Sequence, residues 1–97
     1  MPDEQDVQRF MQAVYDTREQ TRGVAYVTEI MRQMGLEASS LPDLAHNPTT
    51  DDDRCYTHLA QYCEEKRGYI KSLDDRYLSV MITDDGIEYV ESGSTRL

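Results

Sequence analysis

A strand-to-helix junction near the end of the chain constrains the fold more than any other feature. In ITDDGIEYVE, residues 82–91, an apolar run ends at Ile82 and an amphipathic pattern begins at Ile87. Thr83 is suited to cap a helix whose first turn holds two aspartates, because carboxylates favour the positive end of the helix dipole. Gly86 is expected where a side chain would stand between this helix and the hairpin or helix beside it. The pattern therefore predicts a short C-terminal helix folded back over a strand.

The residues before this junction predict a β-hairpin. Tyr69–Leu73 and Tyr77–Ile82 are short runs of strand-forming residues, and the Asp74-Asp75 pair between them is a turn signal. The second run alternates between apolar and other side chains, which is typical of a strand with one buried face. We expect five apolar residues to share one core with Leu59 from the preceding helix, namely Ile70, Leu78, Val80, Ile82 and Ile87.

Three helices are predicted ahead of the hairpin. Residues 3–19 and 24–34 each carry apolar side chains at positions i, i+3, i+4 and i+7, and Gly35 ends the second of them. The third helix is predicted over residues 51–67, with Thr50 as its N-terminal cap and Gly68 as the residue that ends it. A helical wheel of this third helix predicts one side made of Cys55, Leu59, Tyr62 and Cys63, and an opposite side made of Arg54, Thr57, His58, Gln61 and Glu65.

The remaining segments are predicted to be irregular. Residues 36–50 contain two prolines and no clear period, which indicates a long loop or an insertion. Alternatively, the segment SLPDLA within it forms a short second helix, and helix 24–34 is then an additional one. Residues 93–97 are expected to form a flexible tail. With 97 residues in total, the chain is expected to be a single domain.

Charge and cysteine content restrict the possible partners and the compartment. The chain carries 19 acidic and 10 basic residues, for a net charge of −9, and both halves have an excess of acids. Such a chain repels phosphate at long range, which weighs against non-specific binding to nucleic acids and to anionic membranes. No signal peptide or membrane-spanning run is recognisable, so a cytoplasmic location is expected. Cys55 and Cys63 lie too far apart along one helix to form a disulfide, and both are predicted to be buried thiols.

The order helix, helix, loop, helix, hairpin, helix resembles a winged helix-turn-helix domain of the MarR and PadR kinds. Within residues 51–91, KRGYI resembles the family's usual exit from the recognition helix, and ITDDGIEYVE resembles the segment after its second wing strand. The resemblance implies an α+β fold with three N-terminal helices, a two-stranded wing and a short C-terminal helix. The chain departs from the family in the length of residues 36–50 and in its short wing.

The resemblance also implies binding to double-stranded DNA and a role in transcription regulation. The residues expected at the DNA are Arg54, Thr57, His58 and Gln61 on the third helix, with Lys71 and Arg76 on the wing. Residues 51–77 nevertheless contain more acids than bases, and phosphate contacts normally need the opposite balance. The alternative function is therefore an acidic winged-helix module for protein–protein interaction or dimerisation that does not bind DNA.

A homodimer is expected in either case, with the first helix contributing Phe10, Val14 or Tyr15 to the interface. No catalytic residue, metal ligand or cofactor is predicted. The spacing of Cys55, His58 and Cys63 matches no zinc motif, and His58 and Cys63 point to different sides of the predicted helix. The same directions argue against a Cys–His nucleophile pair, so the chain is not expected to be an enzyme.

Overall fold

The fold is α+β. The computed structural model describes residues 2–37, 50–74 and 76–94, and these form four α-helices and one three-stranded antiparallel sheet. In chain order the elements are α1 (Glu4–Thr17), β1 (Val24–Tyr26), α2 (Val27–Gln33), α3 (Asp51–Tyr62), β2 (Ile70–Ser72), β3 (Ser79–Ile82) and α4 (Asp84–Ser94). A π-helical turn, Cys63–Arg67, extends α3 toward Gly68. The predictions for residues 38–49 lie outside the described residues. Residues 93 and 94, predicted to belong to a flexible tail, are part of α4, and the prediction for residues 95–97 lies outside the described residues.

The sheet differs from the predicted two-stranded hairpin because it contains a third strand. Its order is β1-β3-β2, and Ala25 of β1 pairs with Val80 of β3. Residues 24–26 were assigned to the second helix, but they are strand and only residues 27–33 are α-helical. The sequence Val-Ala-Tyr contains a β-branched and an aromatic residue, which suit a pleated surface. Pairing with β3 therefore outweighs the helical preference that the sequence pattern predicted for these residues.

The apolar stripes predicted for the first two helices form the core. All four members of each stripe are buried, namely Val7, Phe10, Met11 and Val14 in the first helix and Val27, Ile30, Met31 and Met34 in the second. They pack in one core with residues of α3, β2 and β3, which include Tyr56, Leu59, Ile70 and Val80. Leu78 and Ile82 are partly buried against this core, as expected. Ile87 is only half-buried and lies outside the core cluster, so that part of the prediction is wrong.

Helix α3 is rotated from its predicted orientation. Its buried residues are Asp53, Tyr56, Leu59 and Ala60, whereas Cys55 is exposed. The prediction that both cysteines are buried is therefore wrong for Cys55. Tyr56 has far more apolar surface than Cys55, and its hydroxyl finds a partner inside the protein, so burying Tyr56 is the more favourable choice.

The junction between β3 and α4 has the predicted geometry. The Thr83 hydroxyl accepts a hydrogen bond from the Gly86 N–H at 3.1 Å, and it donates one to the Gly68 carbonyl at 2.6 Å. Gly86 is buried, and a Cβ atom there would lie 2.2 Å from the Tyr69 carbonyl oxygen and 2.8 Å from Ile82 Cγ1. A glycine at this position lets α4 pack directly on the hairpin.

Candidate nucleic-acid interface

Most of the side chains predicted to read DNA do share one exposed face of α3. Arg54, His58 and Gln61 are exposed, at spacings of four and three residues. Thr57 is half-buried, and its hydroxyl donates to the Asp53 carbonyl at 2.9 Å within the same helix. The helix therefore presents three side chains capable of contacting base edges, whereas the Thr57 hydroxyl is already bonded to the backbone of α3.

Carboxylates lie beside two of these three side chains. Arg54 forms an ion pair with Asp51 at 2.8 Å, and Gln61 donates a hydrogen bond to Glu65 at 3.4 Å. Exposed ion pairs add little stability, so Arg54 is not held firmly. Its charge is nevertheless offset by a carboxylate one helical turn away.

The three consecutive aspartates at the start of α3 point in different directions. The Asp51 side chain is exposed, that of Asp52 accepts a hydrogen bond from the Glu37 N–H at 3.0 Å, and Asp53 is fully buried. Asp53 is therefore turned into the fold, away from the exposed face of α3. Thr50 caps the helix by accepting from the Asp53 N–H at 3.1 Å, as predicted.

Arg67, a basic residue at the end of the π-helical extension of α3, joins the ends of three elements. It forms an ion pair with Glu4 at the start of α1, and it donates to the hydroxyls of Tyr62 and Tyr69 at 3.2 Å each. Tyr89 of α4 also donates to Glu4, and its ring stacks on Tyr69 with 4.5 Å between centroids. Hydrogen bonds from Arg67 and Tyr89 lower the pKa of Glu4 below its usual value. This arrangement uses the Arg67 charge inside the fold.

The two basic residues of the hairpin that were predicted to contact DNA lie in different parts of it. Lys71 is exposed on β2, and Arg76 is exposed in the turn between β2 and β3. Neither forms an ion pair with the rest of the described chain. The wing is therefore able to offer positive charge, although only two side chains supply it.

Asp74 organises this turn, a role that the sequence analysis missed. Its carboxylate accepts hydrogen bonds from the N–H groups of Arg76, Leu78 and Ser79 at 2.8–3.0 Å. Burial opposes ionisation of Asp74, but these N–H groups and the Ser79 hydroxyl outweigh it and keep its pKa below the usual value. Aspartate at a turn commonly bonds to backbone groups that follow it, which is the signal that could have identified this role.

Two of the three residues expected at a dimer contact on α1 are not available in this fold. Phe10 and Val14 have no exposed surface, because both lie in the core of their own chain. Tyr15 is half-buried, and its hydroxyl donates to Glu91 at 3.0 Å. A strongly apolar stripe indicated an interface, but in a small domain the same stripe is needed to build the core.

The possible metal ligands of the described residues are not grouped, and both cysteine thiols have raised pKa values. No group of three or more His, Cys, Asp and Glu side chains within residues 2–37, 50–74 and 76–94 is placed to hold a metal ion. Burial raises the pKa of Cys63 to about 12, and burial together with nearby aspartates also raises the pKa of Cys55. Both thiols are therefore protonated at neutral pH, which does not suit a nucleophile.

The exposed large apolar side chains lie on the outward side of the sheet, which we call the outer sheet face. In the described chain, the large hydrophobic residues exposed to solvent are Tyr26, at 47%, and Leu73, at 51%. Tyr26 pairs with Ser79, and the Leu73 N–H bonds to the Ser79 carbonyl, so these three residues form one row across the strands. Val24, Met81 and Lys71 form the adjacent row, in which Val24 is buried, Met81 is half-buried and Lys71 is exposed. The outer sheet face is defined by these six residues.

Comparisons with known proteins add no assignment. No family model, no curated protein and no solved structure matches this chain. Within the described residues, no helix is both long enough and apolar enough to cross a bilayer.

Proposed function

We propose that this chain is a winged-helix-type domain that works as a protein-interaction module and does not read DNA. The order of α1, α2, α3, the β2–β3 hairpin and α4 supports the winged-helix part of the proposal. The KRGY segment and the Thr83–Gly86 junction support it as well. The first ends the helical extension of α3, and the second begins α4.

The observation that carries the functional part is the scarcity of free positive charge around α3. Arg54 is paired with Asp51, and Arg67 is paired with Glu4. Among the described residues of α3, its π-helical extension and the hairpin, the cations without an ion pair are Lys66, Lys71 and Arg76. Each phosphate contact contributes a log–log salt slope of about −0.9, so three contacts supply little of the affinity that DNA binding needs. The net charge of −9 acts against even these contacts.

A second candidate function is sequence-specific DNA binding through α3. It is favoured by one observation, the exposure of Arg54, His58 and Gln61 on a single face. Arginine and glutamine can form paired hydrogen bonds with guanine and adenine edges, respectively. In this alternative, base contacts would have to compensate for a shortage of phosphate contacts.

Fluorescence anisotropy with labelled mixed genomic fragments separates the two functions. At about 50 mM salt, where phosphate contacts are strongest, we expect no saturable binding by the wild-type chain. We expect weak, salt-sensitive binding by the Asp51→Asn variant, because the substitution removes the carboxylate beside Arg54. Binding by this variant alone would support the proposal, since it would show that the acidic residues prevent DNA binding.

Arg54→Ala is the matched control for the second candidate. Saturable wild-type binding that this substitution weakens by roughly tenfold at a specific site, with little change on random DNA, would contradict the proposal. Such a result would establish α3 as a DNA-reading helix.

A further inference from the structure

The outer sheet face is a second apolar surface that the core does not use. Its members Tyr26, Leu73 and Met81 are absent from the cluster that forms the core and from the side chains packed against it, whereas Val24 at its edge is already buried within the chain. The opposite face of the same sheet supplies Ala25, Ile70 and Val80 to the core. A sheet that is apolar on both faces normally has a layer on each side, and α1–α4 account for only one of them.

The outer sheet face is also the part of the sheet that an acidic molecule can approach. Lys71 is the only charged residue in the three strands. The carboxylate of nearby Asp74 is turned toward the backbone N–H groups of the hairpin. Two copies of a chain with a net charge of −9 repel each other, and the repulsion is smallest where the meeting strands carry no carboxylates and the one at their edge, Asp74, is bonded to backbone N–H groups.

We propose that the outer sheet face is the docking surface for a second copy of this chain. The inference rests on the proposed function, because it names the partner and the surface of the interaction module. It replaces an interface through α1, whose apolar stripe is buried in the core.

The register of the strands makes this face self-complementary. A twofold axis running above β3 and parallel to it places β1 of one copy over β2 of the other, without shifting the rows. Tyr26 then lies over Leu73 of the second copy, and Met81 over the second Met81. Lys71 lies opposite the row position of the buried Val24, so the two positive charges stay apart by about two strand spacings, or roughly 10 Å, in addition to the separation of the sheets.

A shallow cavity beside Tyr26 gives room for the opposing leucine. Its volume is about 450 Å³, and it is lined by Tyr26, Val27, Thr28, Asp74, Leu78 and Ser79. Burying both Tyr26 and Leu73 removes the exposed large apolar side chains of the described chain from water.

The small size of the face sets the expected strength of the dimer. Three strands at about 4.8 Å spacing cover much less than the roughly 800 Å² per partner that stable complexes bury. We therefore expect a weak, reversible dimer with a dissociation constant on the order of 100 µM.

Sedimentation equilibrium between about 10 µM and 1 mM protein tests the proposal. We expect a monomer–dimer equilibrium that becomes stronger when NaCl is raised from about 50 to 500 mM, because salt screens the repulsion between the copies. Tyr26→Ser and Leu73→Ser should each weaken dimerisation by about tenfold. Both residues are exposed, so the variants are expected to fold, and circular dichroism verifies this for each sample.

Tyr15→Ser is the comparison variant, because Tyr15 is the half-buried member of the interface first expected on α1. It should leave dimerisation unchanged. A monomer at 1 mM protein in 500 mM NaCl would overturn the inference, and so would a dimer that Tyr26→Ser and Leu73→Ser leave intact. A monomer that also fails to bind DNA would leave the proposed function standing, whereas wild-type DNA binding would overturn that function whatever the oligomeric state.

Discussion

Gly86→Ala is expected to destabilise the protein by about 1–3 kcal/mol, although alanine is the better helix former. The added Cβ would lie 2.2 Å from the Tyr69 carbonyl oxygen, which is backbone and cannot rotate away. That oxygen also accepts a hydrogen bond from the Thr83 N–H at 2.9 Å, so displacement of α4 would disturb the start of the helix as well.

The sign of the effect makes this substitution informative. In a helix without a close neighbour, the same change stabilises by up to about 1 kcal/mol. Urea denaturation measures the difference, and Glu88→Ala on the exposed side of α4 is the control, with an expected change within about 0.5 kcal/mol. A Gly86→Ala variant as stable as the wild type would contradict the direct packing of α4 on the hairpin.

Tyr56→Ala is expected to cost about 3–5 kcal/mol, a large part of the stability of a domain this size. The Tyr56 ring is buried between α1 and the hairpin, with its centroid 5.8 Å from that of Phe10. Its hydroxyl donates to the Tyr77 carbonyl at 2.5 Å. Tyr77 has a φ of 59°, a left-handed conformation that is unfavourable for a tyrosine, so this bond holds the hairpin in a strained turn.

Tyr56→Phe separates the hydroxyl from the ring. It should cost about 1–3 kcal/mol, because it leaves the Tyr77 carbonyl without this partner. Tyr15→Phe, which removes an exposed hydrogen bond to Glu91, is the control and should have a much smaller effect. Equal stability of Tyr56→Phe and wild type in thermal or urea unfolding would show that the bond does not support the turn.

Local patterns in the sequence identified the features that depend on neighbouring residues. The helical period located the buried stripes of α1 and α2, and the caps at Thr50 and Thr83 follow from residue type and spacing. The role of Gly86 could be predicted because a glycine in the first turn of a helix serves no purpose within that helix, which indicates a close neighbour. These features need no knowledge of distant parts of the chain.

Features that depend on distant pairing were missed. Strand β1 is three residues long and forms only because β3, more than fifty residues later, offers an unpaired edge. The rotation of α3 depends on the carbonyl of Tyr77, which makes Tyr56 rather than Cys55 the better residue to bury. The partner of Arg67, Glu4, lies on another helix, so the sequence alone does not reveal that this charge is used inside the fold.

Amide chemical shifts of ¹⁵N-labelled protein would compare the two candidate surfaces most directly. Adding DNA fragments at about 50 mM salt should leave the amides of Arg54, His58 and Gln61 unmoved. Raising the protein concentration at about 500 mM salt should move those of Tyr26 and Leu73. Saturable DNA-induced shifts along the exposed face of α3, with an unchanged outer sheet face at every protein concentration, would contradict both the proposed function and the proposed docking surface.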